Sequence, residues 1–362
     1  MLNSAASTLN KTPFSVFRTD QVAPRDQFDA WRESIGVAFD VEPTERLANA
    51  GFAAEVRTFN LGEMLVSSAK FGAEYFKRDS RKISRDGLDH YLVQLYWAGG
   101  LTGSTRHRPM DVRSGDIQIV DLAQPHESVA SNSATIAITV GRELIAETIS
   151  SRVDLHGIVL RGDRGAGALL ADYMKSLFYR LGSLDAGEAP FVARATADVI
   201  AACAGAMVSD VQARSPINAI VVDRMKRYIE EHLGSRDLSP RVLCERFRIS
   251  RTQLYRIFEP LGGVAGYIQT RRLDRAFGLL RDPLCRNRPV SDIAYTAGFS
   301  NLAHFATTFR RAFGLSPSEL RAASTLPAFR SGPGTPPPHP ASGYEDWVRG
   351  LRRQAAYGTP AL

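Results

Sequence analysis

The sequence is poor in cysteine. Cys203, Cys244 and Cys285 lie about forty residues apart and never form a Cys-x-x-Cys pair, which excludes a disulfide framework and a zinc knuckle. Long apolar runs are missing as well. The longest, residues 199–208 (VIAACAGAMV), is half the roughly 20 residues needed to cross a bilayer, so no integral membrane protein is expected. The opening MLNSAASTLNKTPFSVF lacks the basic start and apolar core of a secretory signal, and the expectation is a cytoplasmic chain. No Gly-x-Ser-x-Gly elbow, Walker A loop or Gly-x-Gly-x-x-Gly fingerprint occurs. Residues 162–167 (GDRGAG) have no suitable preceding strand and read as a loop. His107 stands between two arginines and His126 follows Pro125, neither in a His-x-His pair, so neither a catalytic metal nor any cofactor is expected.

What is present is a globular composition, 44% apolar and 23% charged, over a length of 362 residues that suits two domains and a tail. The net charge of +7 is unevenly placed. Residues 216–321 hold 18 Lys/Arg against 10 Asp/Glu, while the remainder holds 27 against 28. A solvated basic face would explain this excess, and so would a polyanion-binding module joined to a neutral domain.

Four segments separate by composition: a polar, loose 1–20, then 21–214, 215–322 and a Pro-rich flexible tail 323–362. Within the second, residues 50–142 read mainly as short strands, among them 64–69, 88–97, 116–122 and 135–140, broken by turn signals that imply a sandwich or barrel. A helix over 29–37 precedes them, and 143–151, 166–181 and 191–212 carry helical spacing. Leu169, Leu170, Tyr173, Met174, Leu177 and Phe178 form an apolar stripe that suits either an internal core or a dimer seam. In the tail, residues 327–340 hold six of the 19 prolines, and 344–354 suit one last short helix.

The basic segment contains a near-repeat. Residues 243–258 (LCERFRISRTQLYRIF) and 293–309 (IAYTAGFSNLAHFATTF) share an aliphatic-plus-small pair, an apolar-Ser step, and an apolar residue with a Phe four positions on. That pattern predicts a helix, a tight turn, a serine N-cap (Ser250, Ser300) and a second helix, twice, with residues 267–280 as a spacing rod. The outward positions of the first copy are Arg251, Thr252, Tyr255 and Arg256, with Arg246, Arg248, Arg271, Arg272, Arg310 and Arg311 around the pair. Side chains so placed reach base edges while arginines neutralise phosphates, so double-stranded DNA is the expected partner; a helical scaffold without DNA remains the alternative.

At Leu243, Ser250, Leu254, Arg256, Phe258, Tyr267, Arg272, Ala276, Ile293, Ala294, Gly298, Phe299, Phe305, Phe309, Gly314 and Pro317 the chain resembles the DNA-binding domain of the AraC/XylS family of bacterial transcription regulators. The resemblance implies that Thr252, Tyr255 and Arg256 face one major groove and Leu302, Ala303, Ala306 and Thr307 the next. Three departures stand out: Arg248 replaces the usual first-turn glycine, Thr307 a common arginine, and the other outward positions of the second copy, Leu302, Ala303 and Ala306, are apolar. The first unit is therefore expected to supply most discrimination and the second to anchor through Arg310 and Arg311. The stretches FDAWRESIG, YLVQLYWAGG, RSGDIQIVDLAQP and ITVGRELI are similar to the ligand-binding half of a subgroup of the same family.

The expectation is thus an α+β multidomain protein: an N-terminal cupin-like β-barrel with flanking helices over 21–214, and a C-terminal all-α domain with two helix-turn-helix motifs. The resemblance further implies an effector-responsive activator that contacts RNA polymerase, acts as a homodimer and binds a small aromatic or carboxylate effector. Arg57, Tyr91, Gln94 and Trp97 are the candidate ligand residues, and which face of strand 88–97 looks inward is open. Control by a protein partner, and a cupin-type enzyme fused to a DNA-binding domain, stay as alternatives.

Overall fold

The computed structural model describes residues 11–45, 51–105, 109–146, 155–212, 216–235, 237–259, 263–325, 344, 346–348 and 350–351. His107 lies outside them, as does the Pro-rich 327–340. The chain divides into two compact units, one of residues 1–78, 88–208 and 332–362, the other of residues 79–87 and 209–331.

The first unit runs β1 (Phe14–Arg18), α1 (Gln27–Ile35), β2 (Asp40–Pro43), β3 (Glu55–Asn60), β4 (Met64–Phe71) and β5 (Glu74–Arg78). The chain then makes α2 (Ser80–Asp86), which belongs to the second unit. It returns as β6 (His90–Ala98), β7 (Leu101–Thr105), β8 (Pro109–Val112), β9 (Ile117–Asp121), β10 (His126–Ala130) and β11 (Ser133–Gly141). After these come α3 (Arg142–Ala146), β12 (Ile158–Leu160), α4 (Gly165–Arg180) and α5 (Ala189–Gln212). The strands form a seven-stranded sheet in the order β1-β3-β4-β11-β6-β9-β12 and a five-stranded sheet in the order β2-β5-β10-β7-β8. The expected barrel is therefore two separate sheets that share one core, and it is not closed.

The larger sheet is buried on both faces. One face, with Val93, Leu95, Ile119 and Ile138, packs on Leu170, Met174 and Leu177 of α4 and Ala193, Ala197 and Ile200 of α5. The other, with Leu65, Leu92, Tyr96 and Val120, meets Val41, Phe76 and Met110 of the smaller sheet and Trp31 of α1. The apolar stripe of α4 is thus largely consumed inside this unit. Residues 189–206 of α5 are long and apolar enough to cross a membrane, at a mean hydropathy of 1.2, yet here they form a core helix.

Trp31 is fully buried and its Nε1 donates to both carboxylate oxygens of Glu74, at 3.0 and 2.8 Å. Burial, opposed in part by the Trp31 hydrogen bond, pushes the Glu74 carboxyl up to about 8. The folded state therefore keeps a proton that the unfolded chain releases above 4.5, and stability falls as pH rises through that window. Between pH 6.5 and 8 this contributes a loss of about 2 kcal/mol, at about 1.4 kcal/mol per unit. Urea unfolding across that range is expected to show the slope in the wild type and its removal in Glu74→Gln, which keeps an acceptor for Trp31. Parallel slopes in both proteins would refute it.

The second unit comprises α2 with α6 (Pro216–Glu231), α7 (Pro240–Phe247), α8 (Arg251–Phe258), α9 (Val264–Arg281), α10 (Val290–Thr296), α11 (Leu302–Phe313) and α12 (Pro317–Thr325). It has two cores. Leu243, Leu254 and Phe258 pack with Met225 and Ile229 of α6, whereas Ile293, Phe305 and Phe309 pack with Phe313 and Leu320. α9 joins them, giving Val264 and Ile268 to the first and Leu273, Phe277 and Leu280 to the second, as expected of a spacing rod. α2 was not anticipated from sequence: Asp79 caps it and Ile83 is buried in the second core.

In the first unit, the helical residues Tyr344, Trp347, Val348 and Leu351 pack into the core between the two sheets. The sequence had placed them in a flexible tail with one short helix.

Candidate nucleic-acid interface and effector cavity

The first helix pair is α7 and α8. Ser239 caps α7 by accepting from the Val242 amide, and Ser250 caps α8 by accepting from the Gln253 amide at 3.1 Å. The turn between them rests on Arg248 at φ +53° and ψ +45°, the one non-glycine at positive φ among the described residues. Its side chain is exposed. Glycine adopts this conformation without the Cβ clash. Arg248→Gly is therefore expected to raise unfolding stability by about 1 kcal/mol. It should at the same time weaken DNA binding and shorten the salt slope of log affinity by about 0.9 if Arg248 contacts a phosphate. Denaturant titration and salt-dependent binding measured on one preparation check both signs.

The second pair is α10 and α11. Gly298 sits at φ +95°, and an added Cβ would meet the Leu233 carbonyl oxygen at 1.9 Å, so this turn demands glycine. The cap differs from expectation. Asn301, not Ser300, accepts from the His304 amide at 2.9 Å, and α11 starts at Leu302. Counted from the caps, Leu254 and Phe305 are both fourth and Phe258 and Phe309 both eighth. The two copies are thus related by a step of 51 residues instead of the 50 that the serines suggest.

The structure places Arg251, Thr252, Tyr255 and Arg256 together on the exposed side of α8, and Leu302, Ala303, Ala306, Thr307, Arg310 and Arg311 on the exposed side of α11. Leu254 and Phe258, and Phe305, Phe309 and Phe313, hold the opposite sides in the cores. Tyr255 is 52% and Leu302 39% exposed, large side chains with no intramolecular reason to face outward. Arg271 and Arg272 play a different part from the phosphate contacts expected of them. Arg271 is half-buried, which by itself would lower it, but its pairing with Glu230 and Asp274 outweighs this and holds the guanidinium above the ordinary arginine range. Arg272 donates to the Leu233 and Ser235 carbonyls at 3.0 and 2.8 Å beside Gly298. His304, exposed on the first turn of α11 and 3.5 Å from the Gln269 amide, is a polar group that the sequence reading passed over. Its position relative to the cap, equivalent to Gln253, was the available signal.

The first unit encloses a cavity between its sheets, walled by Trp31, Phe71, Phe76, Leu92 and Tyr96 and by the polar Gln94, Gln118, Ser128, Thr135 and Thr139. Of the four candidate ligand residues only Gln94 lines it. Leu92, Gln94 and Tyr96 are the inward set of β6. Tyr91 faces the helical layer, where its hydroxyl accepts from Arg142 at 2.6 Å. Arg57 is exposed on β3 and Trp97 is 43% exposed. The amides form a chain: Gln118 Nε2 donates to Gln94 Oε1 at 2.8 Å and Gln94 Nε2 to Thr135 Oγ1 at 3.4 Å. This leaves Gln118 Oε1 buried without a partner among the described residues, and His126 Nδ1 is in the same position. Burial, aided by His156 and Arg78, lowers the His126 imidazole to about 3, so the ring is neutral. His126 Nε2 is 2.9 Å from Ser128 Oγ, and no group of three or more potential metal-binding side chains occurs among the described residues.

Comparison with known proteins covers both units. Residues 243–323 match a helix-turn-helix domain family and residues 28–203 an AraC-binding-like domain family. Over 280 residues the chain is 25% identical to the transcriptional activator NphR of a Rhodococcus species, covering 75% of this chain and 81% of that protein. It is 36% identical over 99 residues to the XylDLEGF operon transcriptional activator of Pseudomonas putida, a match spanning 27% of this chain and 30% of that relative's length. The crystal structure of the AraC-like transcriptional activator CuxR aligns at 27% identity and a TM-score of 0.49, over 72% of this chain and 94% of that one.

Proposed function

Since the chain belongs to the AraC family of helix-turn-helix transcription regulators, we propose that it activates transcription from a site read by α8 and α11 in successive major grooves, under control of a small molecule held in the two-sheet domain. The carrying observation is the outward row of Arg251, Thr252, Tyr255 and Arg256 on a helix whose other side is locked in a core. Thr252, Tyr255 and Arg256 supply hydrogen-bond donors for base edges, while Leu302, Ala303 and Ala306 offer contact to thymine methyls and no bidentate bond to guanine. Arg248, Arg310 and Arg311 neutralise phosphates. Effector occupancy shifts the population of a homodimer able to engage paired half-sites and present RNA polymerase with a surface, which requires unequal effector affinity for the two arrangements. The site of action is the cytoplasm, where the DNA is.

A binding titration of the full chain against its own upstream DNA and a scrambled duplex, across salt, tests this. The expected result is selective binding whose log affinity falls linearly with log salt. Equal affinity for both duplexes at every salt concentration would overturn the assignment of base readout to α8.

A further inference from the structure

The cavity of the first unit is walled in part by the far end of the chain. Tyr344 and Val348 line it together with residues from both sheets and α1. The Tyr344 hydroxyl is hydrogen-bonded to Thr139 of β11, and burial pushes it up to about 12. Val348 and Leu351 are buried in the same core. These residues lie beyond both regions that match known families, which end at 203 and 323.

With this segment seated, the cavity volume is about 70 Å³. A cavity that admits a benzene ring measures about 150 Å³. A one-ring ligand is therefore too large for the space left, whereas the phenol of Tyr344 is itself one ring with one hydroxyl. No lysine, arginine, aspartate or glutamate is among the lining residues. A carboxylate would meet no charged lining residue, and Arg78 behind the wall already gives its guanidinium to the Leu122 and Ala38 carbonyls, which argues against the acidic half of the effector class expected from sequence. An uncharged donor would find Gln118 Oε1 and His126 Nδ1 without partners.

We propose that the helical residues Tyr344, Trp347, Val348 and Leu351 carry a built-in occupant of the sensor cavity, in which Tyr344 and Val348 hold the place of an uncharged one-ring ligand bearing a hydroxyl, so that ligand binding and seating of these residues exclude each other. This rests on reading the two-sheet domain as the sensor. Ligand entry withdraws Tyr344 from Thr139 and releases the segment, and cavity occupancy is thereby converted into exposure of the chain's C-terminal region.

The test uses p-cresol, the tyrosine side chain without its backbone, titrated calorimetrically into the full chain, Tyr344→Phe and Tyr344→Ala, with benzoate as the charged control. The Ala variant is expected to bind p-cresol at least tenfold tighter than the wild type, the Phe variant in between, and benzoate to bind to none. In the chain labelled with 5-fluorotryptophan, the Trp347 fluorine resonance, assigned with Trp347→Phe, should move to a solvent-exposed position as p-cresol saturates the wild type. Equal p-cresol affinity in all three proteins with a stationary Trp347 resonance would overturn the competition and leave the sensor reading standing. Absence of binding to every form would overturn the ligand class and the competition together. Both outcomes are separable from the DNA reading, which the duplex titration decides alone. The Phe variant keeps the ring in the core and guards against misfolding of the Ala variant.

Discussion

Arg256→Ala is expected to weaken binding to the cognate duplex about tenfold to a hundredfold while changing binding to scrambled DNA far less. A bidentate contact from arginine to guanine carries about 1–3 kcal/mol of discrimination. Arg256 stands exposed on α8 with no ion pair or hydrogen bond to another part of the protein among the described residues, so its removal subtracts from the complex and leaves no buried partner behind. Thr307→Ala at the equivalent place on α11 removes one hydroxyl and should cost at most a few-fold. Arg310→Ala should weaken all sequences alike and shorten the salt slope by about 0.9. Selection of bound duplexes from a random pool gives the comparison directly. Retained selectivity in Arg256→Ala together with its loss in Thr307→Ala would reverse the division of labour between the two helix pairs.

The larger effect on folding is expected at Phe309. This residue has no exposure, and its ring lies 4.5 Å from Phe313, 5.3 Å from Phe305 and 6.3 Å from Phe277. Replacing it with alanine removes a ring from the centre of four and leaves a cavity that the rigid helices cannot collapse. The loss is about 3–5 kcal/mol, a large share of what a domain of this size possesses. Helical circular dichroism in denaturant should show the second core of the unit lost early. Leu284→Ala, at a side chain 92% exposed, is the control and should stay within about 0.5 kcal/mol of wild type. A Phe309→Ala midpoint equal to that of Leu284→Ala would mean that the aromatic cluster does not organise the second core.

The exposed faces of α8 and α11 were legible because their determinants are local. A cap, a turn and two residues four positions apart fit within some sixteen residues, and burying Leu254 and Phe258 forces Thr252, Tyr255 and Arg256 outward by helix geometry alone. One detail escaped because it was ambiguous locally. Ser300 and Asn301 are both good caps, and only the chain path after Gly298 selected the asparagine. The cavity was much less legible. Strand β6 is buried on both faces, so its alternation carries no contrast between apolar and polar sides. Of the four candidate ligand residues Gln94 lines the cavity, while Tyr91, Arg57 and Trp97 do not.

The sequence by itself determined the two-part plan, the tandem helix pairs with their rod, the basic sign of the second unit and the strand-rich character of the first. All of these rest on periodicity, capping and charge counts that act between near neighbours. Only the tertiary structure decided that the strands form two sheets and not a closed barrel, that α2 leaves the strand-rich unit to bury Ile83 in the second helix pair, and that Tyr344 lines the cavity beside Thr139. Each is a contact between residues some two hundred positions apart or a choice of sheet edge. Such contacts are selected by which apolar surfaces fit together in space, and no local pattern of residues records that fit.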